Sequence, residues 1–282
     1  MAASAPIYKQ GWSLDDVQWY AFDGAKVDAE MLAAVKAAAL VEANAPDYVT
    51  YLQRVFRDNG QNILDAIERW GSEEAQHGRA LGRWAEMADP GFRLEDAFAR
   101  FRKGYTPAHF TDASAGSVRG SRRGEMIARC VVESGTSSYY SAMRDATEEP
   151  VLQEIAGRIA ADEYRHYKFF YDTLNVQSEP DIPAWKKFWI AISRIRESDD
   201  DELAYAYYCA NVPAEEEASK PYNRKKYSRI ASRAGLTIYR RRHIQKLVQM
   251  VVKVIGANPH GWLARGIGAL VWRRLQKQAA AA

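Results

Sequence analysis

Hydrophobic residues recur at alternating intervals of three and four along four segments of the chain, which is the spacing of the buried stripe of a bundle helix. The segments cover residues 31–56, 63–84, 126–140 and 152–170. No segment shows the strict alternation of apolar and polar residues that a half-buried strand requires. Clusters rich in Gly, Pro, Ser and Asn separate the segments. The pattern predicts an all-α protein, and no linker is long enough to demand a second domain.

Each stripe contains acidic residues where apolar ones are expected, and two stripes add a histidine. The six polar residues on the stripes are Glu42, Glu74, His77, Glu133, Glu163 and His166. A buried carboxylate without a partner costs several kcal/mol, so its helix must supply a cation or a proton. Pairing with arginine is one explanation, but arginine is absent from these stripes. Exposure of the glutamates to solvent is another, and it requires the helical period to mislead in all four segments.

A pair of metal ions accounts for the pattern better. Residues three apart on a helix project from adjacent turns of one face, so the chain contains two Glu-x-x-His pairs, at 74–77 and at 163–166. One Glu from each of two helices plus Glu-x-x-His from each of two others is the ligand pattern of di-iron and di-manganese bundles. Four carboxylates neutralise two divalent ions when both imidazoles are neutral. Carboxylate and imidazole ligands favour iron or manganese over zinc.

Composition limits the possible classes of protein. The chain has 282 residues, 47% hydrophobic and 27% charged, with a mean hydropathy of −0.44, which is typical of a globular protein. No uncharged apolar run of about 18 residues is present, and the first ten residues lack the apolar centre of a secretion signal, so we expect a cytoplasmic protein. Cys130 and Cys209 are too few for a disulfide framework, and we expect both to be buried.

Charge is divided unevenly along the chain. From residue 218 to the end there are 15 Lys or Arg and no Asp or Glu, against 24 basic and 36 acidic residues before it. Residues 238–255 place an apolar face opposite basic residues, which predicts a docked helix with a positive outer surface. This surface is expected to bind an acidic partner through Arg229, Arg233, Arg240, Arg241, Arg242 and Lys246. Residues 262–277 mix Trp, Leu and Arg as interfacial helices do, so peripheral membrane contact is an alternative. A basic face that is simply solvated, with no partner, is a second alternative. We do not expect the surface to bind nucleic acid.

The residues around the two Glu-x-x-His pairs resemble the soluble acyl-acyl-carrier-protein desaturases. Residues 70–78 (WGSEEAQHG) resemble the W-T-x-E-E-x-x-H-G helix of that family, and residues 159–166 (IAADEYRH) resemble its I-A-x-D-E-x-R-H helix. Residues 42–48 (EANAPDY) are similar to its first ligand helix, where a proline also follows the glutamate by one turn. Residues 133–136 (ESGT) are similar to its E-x-x-T. The likeness spans about residues 30–255.

The resemblance implies a ferritin-like four-helix core over about residues 28–174, with further helices over 180–282 in one domain. It implies that the six stripe residues bind two iron ions and that a ferredoxin-type protein supplies electrons. The implied reaction is O2-dependent introduction of a double bond into a fatty acyl chain on acyl-carrier protein, which the basic end would bind. Asp162 would orient a ligand imidazole, and Thr136 would assist proton delivery to oxygen. We also expect a homodimer.

Two other functions stay open at this point. Another di-iron oxygenase, such as an acyl hydroxylase, an N-oxygenase or an aldehyde-deformylating enzyme, would use similar ligands. N-oxygenases carry an additional histidine where this chain has Ile159, which argues against that subclass. An iron-binding bundle without catalysis would not need about 100 residues beyond the four helices. The remaining histidines, His109, His243 and His260, are expected at the surface.

Overall fold

A computed structural model describes residues 11–105, 116–176, 179–197 and 201–281. Within these ranges all regular elements are helical and no strand occurs, which confirms the predicted all-α class. The helices are α1 (Ala29–Ala43), α2 (Ala45–Phe56), α3 (Gln61–Ala88), α4 (Leu94–Gly104), α5 (Arg122–Ala146), α6 (Pro150–Val176), α7 (Ala184–Glu197), α8 (Asp201–Asn211), α9 (Arg224–Leu236), α10 (Arg241–Val254) and α11 (Trp262–Ala281). Short 3-10 turns lie at Leu14–Asp16, Trp19–Ala21, Gly24–Lys26 and Ala214–Glu216.

The four predicted stripes lie on the long helices that pack around the centre of the molecule. Helices α1 and α2 pack on α3, α5 packs on α6, and α3 contacts α6. Their buried apolar residues form two clusters, one around Trp84 and Leu152 and the other around Phe56 and Phe170. The four stripes therefore face a shared interior, and the two clusters are parts of it.

The first stripe is divided between two helices, and the break lies beside Glu42. Pro46 has no N–H to donate to the carbonyl oxygen of Glu42, so the α-helical ladder cannot continue through it. Asn44 closes α1 with a tighter bond, its N–H donating to the carbonyl oxygen of Val41 at 3.1 Å. The helix is interrupted at Asn44, as the missing N–H of the proline requires.

Gly78 sets the distance between α1 and α3. A Cβ atom at this position would lie 2.7 Å from the backbone nitrogen of Ala43 and 3.0 Å from the carbonyl oxygen of Ala39. Any larger side chain would push the two helices apart. The glycine follows His77 directly and contacts the helix that carries Glu42, so the close approach brings these two predicted ligands together.

The C-terminal helices cover the core from outside. Helix α8 packs on α1, α9 packs on α8, α7 and α10 pack on α5, and α11 packs on α10. The predicted helix over 238–255 is present as α10, and its residues Ile244, Val248 and Val252 are buried with Ala264 of α11. Among the described helices, none combines the length and the apolar character needed to cross a bilayer.

The expectation that His243 lies at the surface was wrong. Its side chain is only 5% exposed, and its Nε2 lies 2.8 Å from a carboxylate oxygen of Asp145 at the end of α5. Arg242 pairs with the same carboxylate at 2.6 Å. Asp145 therefore binds the start of α10. The residues in this contact are almost 100 positions apart, so the local sequence does not indicate it. His260 is exposed as expected, and His109 lies outside the described residues.

Both cysteines are buried free thiols, as expected from the composition. Cys130 on α5 is fully buried, and Cys209 on α8 is 5% exposed. Burial raises the pKa of both thiols, that of Cys209 to about 11. These residues behave as small apolar side chains.

Candidate metal centre

A belt of polar side chains separates the two apolar clusters of the core. On α3 it lies between Trp70 and Leu81, and on α6 between Ile159 and Phe170. The belt contains all six side chains that the sequence predicts as metal ligands, and none of them is more than 8% exposed. The solvated alternative for the glutamates is therefore wrong. The six polar residues at core positions of the sequence pattern are thus buried in the structure.

The six side chains converge into two overlapping groups. Within each group, one possible ligand atom from every residue lies within 4.8 Å of the others. The first group is Glu42, Glu74, His77 and Glu163, and the second is Glu74, Glu133, Glu163 and His166. Glu74 and Glu163 belong to both groups, which is the position of carboxylates that bridge two ions.

Distances between the ligand atoms match the spacing around small divalent cations. His77 Nδ1 lies 3.4 Å from Glu74 Oε2 and 3.2 Å from Glu163 Oε1. His166 Nδ1 lies 3.1 Å from Glu74 Oε1 and 3.6 Å from Glu133 Oε2. Two ligands about 2.1 Å from one ion and at right angles are about 3.0 Å apart. Each site can therefore take an ion without a large rearrangement of its ligands.

The outer nitrogen of each imidazole contacts a carboxylate from the opposite helix. His77 Nε2 lies 3.0 Å from Asp162 Oδ2, and His166 Nε2 lies 2.7 Å from Glu73 Oε2. In a neutral imidazole, each contact favours the proton on Nε2, so that Nδ1 can offer its lone pair to a cation in the belt. The structure therefore places Asp162 beside an imidazole, where the resemblance implies it should lie, and adds Glu73 in the same role.

The chain before α1 closes one side of the belt. The indole N–H of Trp12 donates to Asp162 Oδ2 at 2.8 Å, and the indole ring stacks on His77 with centroids 6.2 Å apart. Gln76 donates to the carbonyl oxygen of Trp12 at 2.8 Å and holds it there. Arg165 pairs with the second oxygen of Asp162. Asp162 is therefore fixed on both oxygens, and the imidazole that contacts it is fixed in turn.

Two hydroxyl groups contact the predicted ligands from α5. The hydroxyl of Thr136 donates to Glu163 Oε2, and that of Tyr140 donates to Glu42 Oε1. Tyr140 is 1% exposed. These contacts orient one carboxylate of each group. They also place an O–H group at the edge of the belt, as the resemblance implies for Thr136.

Burial and mutual repulsion dominate the electrostatics of the belt. Burial, followed by repulsion from Glu74 and Glu163, raises the pKa of Glu42 well above its ordinary value. Burial acts to lower the pKa of His77, but the carboxylates of Asp162, Glu163 and Glu74 outweigh it and raise that pKa well above its ordinary value. The carboxylates therefore strongly attract positive charge, which divalent cations can supply together with ligand bonds.

Unsatisfied polar atoms give a direct test of fit to metal ions. Among the described residues, neither carboxylate oxygen of Glu133 accepts a hydrogen bond, and neither Oε1 of Glu163 nor Nδ1 of His77 has a hydrogen-bond partner. Buried polar atoms without partners are rare in folded proteins. All of these atoms face the belt, and all are of the types that bind iron or manganese. The residues present therefore fit a dinuclear centre.

One arginine is buried, although arginine is absent from the predicted stripes. Arg129 on α5 is 7% exposed, and its guanidinium lies 5.2 Å from the ring centre of Tyr48 and 3.9 Å from Glu125. Glu125 in turn accepts a hydrogen bond from Tyr51 at 2.7 Å. This contact group satisfies its carboxylate with protein groups and includes none of the six predicted ligands.

The six residues expected to bind an acidic partner are all exposed, but they are not equivalent. Arg240 donates to the carbonyl oxygen of Asp145, and Arg242 pairs with its carboxylate. Lys246 lies over the ring of Tyr164. Arg229 lines a shallow surface pocket on α9. The pocket is lined by Arg224, Lys225, Ser228, Arg229 and Ser232. Arg240 and Arg242 therefore hold α10 on α5, so their cationic groups are already partly neutralised.

Comparisons with known proteins place this chain in no family. No protein-family model matches the chain, and no curated protein sequence matches it. The resemblance to the desaturases therefore rests on the residues quoted above.

Three residues that contact the ligands are not among the predicted site residues: Glu73, Trp12 and Tyr140. The signal for Glu73 was available, because an acidic residue precedes the glutamate in both Glu-x-x-His helices, at positions 73 and 162. The repeat predicts equivalent roles, and the structure places each acidic side chain beside the histidine of the other helix. Trp12 and Tyr140 gave no such signal.

Proposed function

We propose that the chain is a di-iron, O2-dependent desaturase that introduces a double bond into a carrier-bound fatty acyl chain. The observation that carries the proposal is the pair of buried ligand groups that share Glu74 and Glu163. In this proposal the long helices form a ferritin-like bundle. Glu42 and His77 would hold one iron, Glu133 and His166 would hold the other, and Glu74 and Glu163 would be available to both.

Two bound iron ions would supply the reduction of O2, and the remaining roles belong to the protein. Overall, two hydrogens leave the acyl chain and, with two electrons from a ferredoxin-type donor and two protons, O2 becomes two waters. Asp162 and Glu73 keep the imidazoles in the ligand tautomer through contacts of 3.0 and 2.7 Å. Thr136 holds a proton on its hydroxyl at Glu163, where it can pass it towards oxygen. Trp70, 3% exposed, excludes water beside His166.

Residues around the belt favour desaturation over the other di-iron chemistries. Ile159, at the position where N-oxygenases carry a further histidine, is fully buried in the apolar cluster and offers no ligand atom. The stretches at 70–78 and 159–166 resemble desaturases at both Glu-x-x-His pairs. Mass analysis of the acyl product decides the reaction class. Loss of two hydrogens supports desaturation, whereas consistent gain of one oxygen would assign the chain to the hydroxylases.

The metal assignment is tested by iron content after reconstitution with Fe2+ under argon. We expect two iron ions per chain in the natural protein and fewer than one in the double variant Glu74→Ala/His166→Ala. The matched control is Glu95→Ala/His260→Ala, which removes one exposed residue of each type. Two irons retained by the first variant would refute the ligand set, and so would one iron or none in the natural protein.

The carrier assignment rests on the exposed cations of α9 and α10. Three cations and two hydroxyls line the pocket on α9, a composition suited to an acidic or phosphate-bearing partner. Charge reversal at Arg229, Arg233 and Lys246 should weaken binding of acyl-carrier protein at least tenfold and reduce its dependence on salt. Arg242→Glu is the contrasting variant, because Arg242 pairs with Asp145 and its substitution affects the packing of α10 on α5. If the affinity for acyl-carrier protein changed neither with salt nor with charge reversal, this partner assignment would be refuted.

A further inference from the structure

Helix α7 carries its largest apolar side chains on the side that faces solvent. The exposed fractions are 66% for Trp185, 43% for Phe188, 55% for Trp189 and 46% for Ile195. With about 3.6 residues per turn, these positions share an arc of about 120° on the helix. The outer arc of α7, defined by these four residues, is an aromatic surface on the outside of the protein.

The opposite side of α7 already has partners in the fold. Ile190 is 9% exposed and belongs to the apolar cluster that includes Met250 and Val254 of α10. Lys187 is only 15% exposed in its side chain, where it pairs with Asp181 at 2.9 Å. The helix therefore turns a lysine towards the protein and two tryptophans towards solvent. Packing among the described residues accounts for the inner side, whereas Trp185, Phe188 and Trp189 on the outer arc stay largely exposed.

The size of the outer arc limits what can cover it. At 150–250 Å² for each aromatic side chain, the exposed fractions amount to about 400 Å² of apolar surface. A stable protein dimer buries about 800 Å² on each partner, twice this area. Exposed patches of about 300–600 Å² are instead typical of functional contact surfaces on monomers. A lipid surface needs no complementary shape, and Trp and Phe side chains are well suited to its headgroup region.

The charge around the outer arc favours an anionic surface. Arg196 is exposed on the arc, and Lys186, partly exposed, lies about 60° beyond it around the helix. The apolar cluster on the inner side joins α7 to α10, within residues 218–282, where 15 basic residues occur without an acidic one. Helix α7 carries four Lys or Arg residues against one acidic residue, Glu197. Of the described acidic residues that flank it, Asp181 forms ion pairs and Asp201 accepts a hydrogen bond from a tyrosine. Negatively charged headgroups would meet cations on the flank of the aromatic surface.

We propose that α7 docks the protein on a phospholipid surface that contains anionic lipids. Trp185, Phe188 and Trp189 enter the headgroup region, and the neighbouring Lys and Arg side chains contact lipid phosphates. The proposal does not rest on the metal centre, so metal-free and iron-loaded protein bind vesicles equally. Failure of the metal assignment and failure of the docking surface are therefore separate results.

The first test is sedimentation of the full chain with vesicles. We expect binding to vesicles of phosphatidylcholine and phosphatidylglycerol, weaker binding to phosphatidylcholine alone, and loss of bound protein as salt increases. The variant Trp185→Ser/Trp189→Ser should partition at least tenfold less. Tyr20→Ser is the matched control, because Tyr20 is 87% exposed on a separate turn, and it should bind as the natural protein does.

The second test locates the contact. Because both natural cysteines are buried, a cysteine introduced at Phe188 can be labelled selectively with an environment-sensitive fluorophore. Its emission should shift to the blue when mixed vesicles are added, whereas the same label at Tyr20→Cys should not respond. A response at both positions or at neither would refute α7 as the docking element.

Other occupants of the outer arc would give distinct results, each of which overturns the proposal. Natural protein that stays in the supernatant with both vesicle types excludes a lipid surface. A dimer in sedimentation velocity that Trp185→Ser/Trp189→Ser converts to a monomer, without vesicle binding, assigns the arc to a second copy of the chain. Unchanged vesicle binding by that variant moves the contact elsewhere, for example to Trp262 on α11.

Discussion

Two buried glutamates of this protein lie in opposite environments. Glu149, before α6, is fully buried and accepts hydrogen bonds from the indole N–H of Trp84 at 2.6 Å and from the backbone N–H groups of Leu152 and Asp23 at 2.7 and 3.0 Å. Glu133 is 1% exposed, yet neither of its oxygens accepts a hydrogen bond from any described residue. Burial alone does not distinguish a structural carboxylate from a ligand. The two residues differ in their donors, because three N–H groups satisfy Glu149, whereas no described group donates a hydrogen bond to the Glu133 oxygens.

Removal of the satisfied carboxylate should have the largest effect on folding. Glu149→Ala leaves two buried N–H donors and one partly buried N–H donor without an acceptor. At about 1–3 kcal/mol for each buried donor, we expect the free energy of unfolding to fall by about 3 kcal/mol or more. Urea denaturation of the metal-free protein measures the change. If the free energy of unfolding fell by less than about 1 kcal/mol, the donors would have found other partners. The contrast between Glu149 and Glu133 would then be contradicted.

Removal of the unsatisfied carboxylate should act in the opposite direction. Glu133→Leu replaces an orphaned buried carboxylate by an apolar side chain, so metal-free protein should gain about 1–3 kcal/mol in unfolding free energy. The same variant should lose the additional stability that iron gives to the natural protein. Destabilisation of the metal-free form would show that Glu133 has structural partners and would remove the basis of its assignment as a ligand.

The carboxylates behind the two histidines give a smaller, graded test. Asp162→Asn and Glu73→Gln each weaken the contact to a ligand imidazole, and we expect iron affinity to fall about 10–100-fold in either variant. Competition with a coloured chelator measures this affinity. Equal losses would support equivalent roles for the two residues, and an unchanged affinity in Glu73→Gln would restrict the orienting role to Asp162.

The smallest expected effect concerns Asp145, which joins α5 to α10. Burial acts to raise its pKa, but hydrogen bonds from Arg242, His243 and Arg144 outweigh burial and hold the pKa well below its ordinary value. A carboxyl group with a lowered pKa in the folded state stabilises the protein above its unfolded pKa of about 3.9, and this contribution declines as pH falls through and below that value.

Asp145→Asn should therefore cost about 1–2 kcal/mol of unfolding free energy near pH 7. The difference from the natural protein should shrink as pH falls below about 5, and urea denaturation across this range measures it. Asp96→Asn, an exposed substitution on α4, is the control. A cost that stays constant with pH would contradict the ion-pair account of this contact.

The periodicity of the sequence was sufficient to predict much of the site. Polar residues at core positions of four helical stripes identify Glu42, Glu74, Glu133 and Glu163, because a stripe position is buried whatever the loops do. The helical class follows from the same pattern. The interruption between α1 and α2 near Pro46 follows from its missing N–H, a property of one residue.

The features that the sequence did not predict depend on contacts between residues far apart in the chain. His243 is buried because Asp145, from another helix, lies beside it, and Trp12 reaches the site across 150 residues to Asp162. Helix α7 shows a different limit. Periodicity reveals its apolar arc, but a pattern alone does not state which side of a helix faces the protein, and here the aromatic side faces solvent.

The central claim is that the polar belt binds two metal ions that share two carboxylates. Anomalous diffraction at the iron absorption edge, on crystals of iron-loaded protein, tests it most directly. We expect two peaks, one between Glu42 and His77 and one between Glu133 and His166, with Glu74 and Glu163 contacting both. A single peak, or peaks outside the belt, would contradict the claim.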